Sequence, residues 1–131
     1  MIEPHKLAIR VYWEDTDAGG VVYHASYLRF MERGRTELLR DLGVDQSALQ
    51  AESGIVFVVA DMNIRFRAPA KLDDVLLVET LVVETGGASL KLAQKISRAG
   101  DVLVEADVTC AVISPEGKPV RLPEAVKGKL N

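Results

Sequence analysis

A change of hydrophobic period part-way along this chain most constrains its fold. From Ala25 to Leu42, the residues Tyr27, Leu28, Met31, Leu38, Leu39 and Leu42 recur at three- and four-residue steps. That spacing predicts a helix with one apolar face, and Gly43 supplies a C-terminal stop. Further on the period becomes two. Met62, Ile64 and Phe66 alternate with Asn63, Arg65 and Arg67, and Val75 to Thr85 is a long β-branched run. Gly86-Gly87 predicts a hairpin turn, after which Leu90, Leu92, Gln94 and Ile96 share a face. A second turn at Ala99-Gly100-Asp101 precedes the alternation of Val102, Val104, Ala106, Val108, Cys110 and Val112. One long amphipathic helix and several long half-buried strands satisfy each other as an α+β domain, the helix wrapped by an antiparallel sheet.

The remaining segments fit around this frame. Lys6 to Trp13 reads as a strand with Leu7, Ile9, Val11 and Trp13 on one face. Asp45 to Ser53 reads as a short helix capped by Asp45 and closed by Gly54. Pro115-Glu-Gly-Lys ends the last strand, and Leu122 to Leu130 reads as a weak terminal helix or tail. Gly34, inside the long helix, costs roughly 1 kcal/mol relative to alanine, which points to close approach of a sheet or partner backbone. Arg33 and Glu37 are expected to pair along the same helix, and Asp73-Asp74 reads as a turn pair. With 131 residues the chain supports one core, so residues 1–131 are read as a single domain.

Composition excludes several classes. A net charge of −3 is the wrong sign for general nucleic-acid binding. No apolar run approaches the ~20 residues of a bilayer-spanning helix, and Met1-Ile-Glu-Pro-His-Lys lacks the apolar core of a secretory signal. Cys110 is the only cysteine and lies in an alternating apolar stretch, where a buried inert thiol is expected. His5 and His24 fit no zinc spacing, so no metal site is expected. These features together point to the cytoplasm.

The chemistry concentrates in Glu14-Asp-Thr-Asp-Ala-Gly-Gly-Val-Val-Tyr-His24, between the first strand and the long helix. A helix start offers unpaired N–H groups and partial positive charge, and a carboxylate just upstream can serve as base or nucleophile beside them. Asp-Thr-Gly clusters are also ordinary turn material, so the residues by themselves leave both readings open. The stretch from Arg10 to Tyr27, with Glu32-Arg-Gly-Arg-Thr-Glu-Leu-Leu-Arg40 and Arg67-Ala-Pro-Ala-Lys-Leu-Asp-Asp74, resembles the 4-hydroxybenzoyl-CoA-thioesterase-like hotdog family. The likeness is greatest to its Tol–Pal-associated acyl-CoA thioesterases, and it spans nearly the whole chain. It implies a hotdog fold and hydrolysis of an acyl-CoA or acyl-carrier-protein thioester to free acid and thiol, with water as second substrate and no cofactor. Asp17 would be the catalytic base or nucleophile. The backbone N–H of His24 would polarise the thioester oxygen, with its imidazole assisting. Gly19 and Gly20 would let the loop bring its backbone close to substrate, and Tyr23 would lie with His24 at the helix start. Asp15 and Glu14 are read as solvated loop residues, and Tyr27 and Met31 as core.

Coenzyme A needs cations for its phosphates. Lys91, Lys95 and Arg98, with Ser89 close by, follow the Gly86-Gly87 turn, where the family contacts nucleotide in some members; Arg65, Arg67 and Lys71 are open alternatives. A long sheet on a small domain leaves edges that drive self-association, so a homodimer or homotetramer is expected. The resemblance implies a sheet continuous across two subunits with sites near that interface. Two rivals stand beside hydrolysis: a hotdog acyl hydratase or dehydratase using Asp17 and His24, and a non-enzymatic subunit binding acyl chains or acyl carrier protein.

Overall fold

The computed structural model describes residues 3–130. Its five strands are β1 (His5–Arg10), β2 (Val56–Phe66), β3 (Val75–Thr85), β4 (Ser89–Arg98) and β5 (Asp101–Ile113). They form one sheet in the order β1-β3-β4-β5-β2, with every neighbouring pair antiparallel. Helix α1 (His24–Asp41) lies against one face, followed by α2 (Gln46–Ser53), and α3 (Glu124–Leu130) comes last. The α+β architecture inferred from the change of period is therefore the one formed.

Alternation decides which face each strand presents. Leu90, Leu92, Gln94 and Ile96 are buried toward α1, whereas Lys91 and Lys95 stand exposed on the outer face. Phe30 and Met31 of α1 pack against Leu76, Val78, Ile96, Val104 and Val108 in one core. Burying a side chain of this size contributes ~2 kcal/mol, enough in sum to hold the helix on the sheet. Two short links keep the strands in sequence. Gly86 N–H donates to the Ser89 carbonyl across the first, and Ala99 (φ 49°) and Gly100 (φ 89°) make a two-residue turn at the second.

The position of Gly34 has a direct steric cause. A Cβ there would stand 2.8 Å from Thr80 Oγ1 and 2.9 Å from Val78 Cγ1, so the sheet touches the helix backbone at this point. A buried polar group accompanies the contact. Gln94 Nε2 donates to the Met31 carbonyl (2.9 Å) and to Thr80 Oγ1 (2.9 Å), while its Oε1 accepts from Arg35 (2.8 Å). Glu32 neutralises Arg35 from one turn before it. Among the described residues, no buried side-chain polar atom of this group lacks a partner, as burial requires.

Several expectations are corrected. The first strand ends at Arg10 rather than Trp13: Val11 is fully buried, but Trp13 is 76% exposed, and Trp13–Asp15 form a 3-10 turn. The cause is local, because Tyr12 and Asp15 exchange bonds that pull the chain off the sheet. The second strand begins at Val56, earlier than the alternation from Asp61 indicates; its β-branched start pairs with Ile113 to Cys110. Glu37 pairs with Arg40, not with Arg33. Leu28, counted on the apolar face of α1, is 41% exposed. The α2 expectation holds: Ala48 N–H donates to Asp45 Oδ1 (3.0 Å), and Gly54 closes the helix at φ 72°. The terminal segment forms α3, with Leu122 and Leu130 buried.

Candidate active site

The loop before α1 is built by short-range hydrogen bonds. Asp17 N–H donates to the Val21 carbonyl (2.9 Å) and Gly20 N–H to the Asp17 carbonyl (3.1 Å), closing a tight turn. Gly20 has φ 81°, a conformation that favours glycine. Gly19 N–H donates to Asp17 Oδ1 (2.8 Å), which orients the carboxylate. Asp17 is exposed, and its Oδ2 takes no donor among the described residues. The Asx turn and a free carboxylate oxygen thus coexist in one residue. Val22 N–H then donates to the Ala70 carbonyl (2.8 Å), tying the loop to the segment after β2.

At the start of α1, Ser26 N–H donates to the Tyr23 carbonyl, but no side chain caps the helix. The N–H groups of His24 and Ala25 have no acceptor among the described residues. An 18-residue helix adds its dipole to these two donors. The His24 ring lies 4.6 Å from that of Tyr23 and edge-on to Phe66 at 6.3 Å. A cavity of about 280 Å³ opens here, lined by His24, Tyr27, Phe66, Arg67 and Pro69 among others. Tyr27 is buried as expected, and its hydroxyl accepts from Ala70 N–H (2.9 Å). Burial pushes the Tyr27 phenol above its ordinary range, so it stays neutral at physiological pH.

Asp17, Gly20 and Tyr23 thus lie on the hydrogen-bonded loop that leads into α1 at His24, and of the four only His24 lines the cavity. The structure does not bring Ser89 and Lys91 to them within one chain. Lys91 lies on the sheet face opposite α1, 3.7 Å from Glu84, and Lys95 lines an outer-face cavity with Arg65, Glu79 and Glu105. Arg98 is held by Asp74 (2.7 Å), the turn-pair residue, whose carboxyl burial pushes up but the Lys71 N–H and Arg98 hold below its ordinary range. Asp15 is a correction. It is 4% exposed rather than solvated, and its carboxylate accepts from Tyr12 N–H (2.8 Å). Phe66 was not singled out as a site residue by sequence, and Arg67 was only an open alternative for the coenzyme A phosphates. The alternation that put Phe66 on an apolar face was visible, but nothing local places that face beside residue 24. Cys110 is buried, and burial raises its thiol. Among the described residues, no group of acidic, histidine and cysteine side chains could hold a metal, and no helix is long and apolar enough to cross a membrane.

The profile of the thioesterase-like superfamily matches residues 11–130. The chain belongs to that superfamily. An acyl-CoA thioester hydrolase, YbgC, of Escherichia coli O6:H1 is 48% identical over 120 residues, covering 90% of this chain and 89% of its own length. The crystal structure of a probable thioesterase from Bartonella henselae superposes with TM-score 0.88 at 44% identity, covering 92% of this chain and 99% of that one. A 4-hydroxybenzoyl-CoA thioesterase variant solved with 4-hydroxybenzoyl-CoA has TM-score 0.92 at 20% identity, covering 99% and 100%. At that distance the likeness speaks to the fold, which is the hotdog fold of the superfamily.

Proposed function

We propose that this thioesterase-superfamily chain hydrolyses acyl-CoA to a free acid and the coenzyme thiol. The observation that carries the reading is the placement of Asp17. Its free carboxylate oxygen sits on a loop hydrogen-bonded into the start of α1, whose first two N–H groups await an acceptor. The thioester carbonyl would accept from the His24 N–H, and the tetrahedral oxyanion would be held more tightly than the ground-state carbonyl. One such donor is worth ~3 kcal/mol of transition-state stabilisation. Asp17 either deprotonates the attacking water or attacks to form a mixed anhydride that water then opens. The His24 imidazole and Tyr23 ring flank the reacting group, and Gly20 keeps the loop open to it. The 48%-identical acyl-CoA thioester hydrolase supports the substrate class. A panel of acyl-CoAs, short to long and aromatic, assayed for thiol release tests it; no release from any member would overturn it. The buried, unpaired Cys110 suits a reducing compartment and supports a cytoplasmic location.

The same reading includes a homodimer. Strand β2 is an edge strand of 11 residues, with Val59 46% and Phe66 50% exposed along it. A long apolar edge is a template for another strand. Antiparallel pairing of β2 with its counterpart would extend the sheet across two copies and cover Phe66 beside His24. Pairs of dimers would make the tetramer. Light scattering at micromolar concentration is expected to report at least a dimer, and Val59→Lys is expected to shift it toward monomer. A stable, fully active monomer of the unsubstituted chain would contradict this arrangement.

Carrier recognition is assigned to Ser89 and Lys91, with Lys95, reached by substrate bound at a neighbouring copy. Exposed cation–phosphate contacts weaken as salt rises, the Debye length being ~8 Å at physiological strength. Replacing Lys91 and Lys95 together with neutral residues is therefore expected to raise KM for acyl-CoA several-fold with kcat little changed. An acyl-pantetheine substrate without the nucleotide should respond to neither change. An unmoved KM would shift the assignment to Arg67, the cation lining the His24 cavity, or to an acyl carrier protein as donor.

A further inference from the structure

We propose that Asp15 and Arg29 form a positioning pair that holds the Asp17 loop in register with the start of α1. The proposal rests on the reading of Asp17 and the helix start as the reacting centre. Neither residue is needed to touch substrate.

The contacts converge on Asp15 from both sides of the loop. From the incoming chain, Tyr12 N–H donates to Asp15 Oδ2 (2.8 Å), and Asp15 N–H donates back to the Tyr12 carbonyl (3.0 Å). From the helix side, Tyr23 N–H donates to the Asp15 carbonyl (2.9 Å), at the residue immediately before the two unpaired donors. The side chain then reaches past the loop into α1 itself, with Asp15 Oδ1 3.6 Å from Arg29 Nη2. Beside this ion pair, the same Nη2 of Arg29 donates a hydrogen bond to Oγ of Ser26 (3.0 Å), and Ser26 is 1% exposed. Asp15 is thus held by the chain before the loop, the residue after it and the first turns of the helix. Asp17 lies two residues on, inside that closed circuit.

The electrostatics explain why a carboxylate occupies this place. The Asp15 side chain is only 6% exposed, so its charge requires a counter-charge, while Arg29 is 57% exposed and retains water. A neutral residue could make the turn. Only an anion makes the turn and also draws a cation from α1 across it. Loosening the pair would leave both halves of the centre intact but free to shift against each other, and displacements near 1 Å cost about 100-fold in rate.

The test compares four variants with the unsubstituted protein. Asp15→Asn keeps an acceptor for Tyr12 N–H but drops the charge, and is expected to lower kcat 10- to 100-fold with KM within twofold. Arg29→Met is expected to do the same, whereas Arg29→Lys recovers most of the loss because a cation remains. Combining Asp15→Asn with Arg29→Met should cost no more than either change alone, since both break one link. Circular dichroism and thermal melts establish that the assayed samples are folded. A merely structural role would lower the melting temperature, leave kcat per folded molecule unchanged, and show no advantage of lysine over methionine; that result overturns the proposal. So would losses that multiply in the double variant. Asp17→Asn is assayed in parallel: if it retains activity, the reading of the site has failed. If it is inactive while Asp15→Asn is normal, only the positioning role is rejected.

Discussion

Asp17→Asn is expected to lower kcat by about a thousandfold or more, ~4 kcal/mol of barrier, in a protein that still folds. Asparagine is nearly isosteric and retains the oxygen that accepts from Gly19 N–H, so the Asx turn survives. What disappears is the second carboxylate oxygen, which no donor among the described residues occupies and which can take a proton or attack a carbonyl. The expected signature is a collapsed kcat with substrate affinity maintained in direct binding measurements, because the helix start and the aromatic flank of the cavity remain. Activity within tenfold of the unsubstituted protein would remove Asp17 from the mechanism and favour a role in binding acyl groups without cleaving them.

The second large effect is on stability. Gly34→Ala places a methyl group 2.8 Å from Thr80 Oγ1 and 2.9 Å from Val78 Cγ1, distances that real contacts do not tolerate. Overpacking of this kind costs ~1–3 kcal/mol, offset in part by the ~1 kcal/mol that alanine gains over glycine in a helix. A net loss of ~1 kcal/mol, seen as a melting temperature lowered by several degrees, is therefore expected. Gly34→Val adds two further methyl groups to the same contact and is expected to cost ~3 kcal/mol or more, enough to prevent folding of a marginally stable chain. Truncating the opposing residue, Val78→Ala, should make Gly34→Ala less costly than it is alone. If alanine at position 34 instead stabilises the protein in both backgrounds, the helix and sheet do not touch there.

The helix and the strands were legible because each carries its own period. Tyr27, Met31 and Leu38 announce the buried side of α1, and Leu90 to Ile96 announce which side of β4 faces it. The close approach at Gly34 was also legible, since a glycine in an otherwise strong helix former needs a reason. Trp13 and Asp15 were misread for a common cause. Alternation carried Trp13 onto the face of Val11, and polarity put Asp15 in water, but the reciprocal bonds between Tyr12 and Asp15 turn the chain and exchange their environments. Such a bond has no periodic signature. The site divides in the same way. Asp17, Gly20, Tyr23 and His24 are neighbours in sequence and were found as a motif, whereas Phe66, Arg67 and Arg29 come to the site only through the fold.

The polar group around Gln94 has a consequence for how such a protein can change over generations. Apolar contacts tolerate sliding: a helix moved along a greasy sheet exchanges one set of van der Waals neighbours for another at little loss. Gln94 tolerates none, because the Met31 carbonyl, Thr80 Oγ1 and the Arg35 guanidinium meet it at one setting only. Moving α1 by a single turn would part the buried Gln94 amide from both the Met31 carbonyl and Arg35, leaving it only Thr80. The amide thus works as an indexing pin, and the leading end of the helix inherits its axial setting from a residue buried on the sheet's central strand. Substitutions among the surrounding leucines and valines can then accumulate, altering packing detail, without the two open N–H groups drifting relative to Asp17.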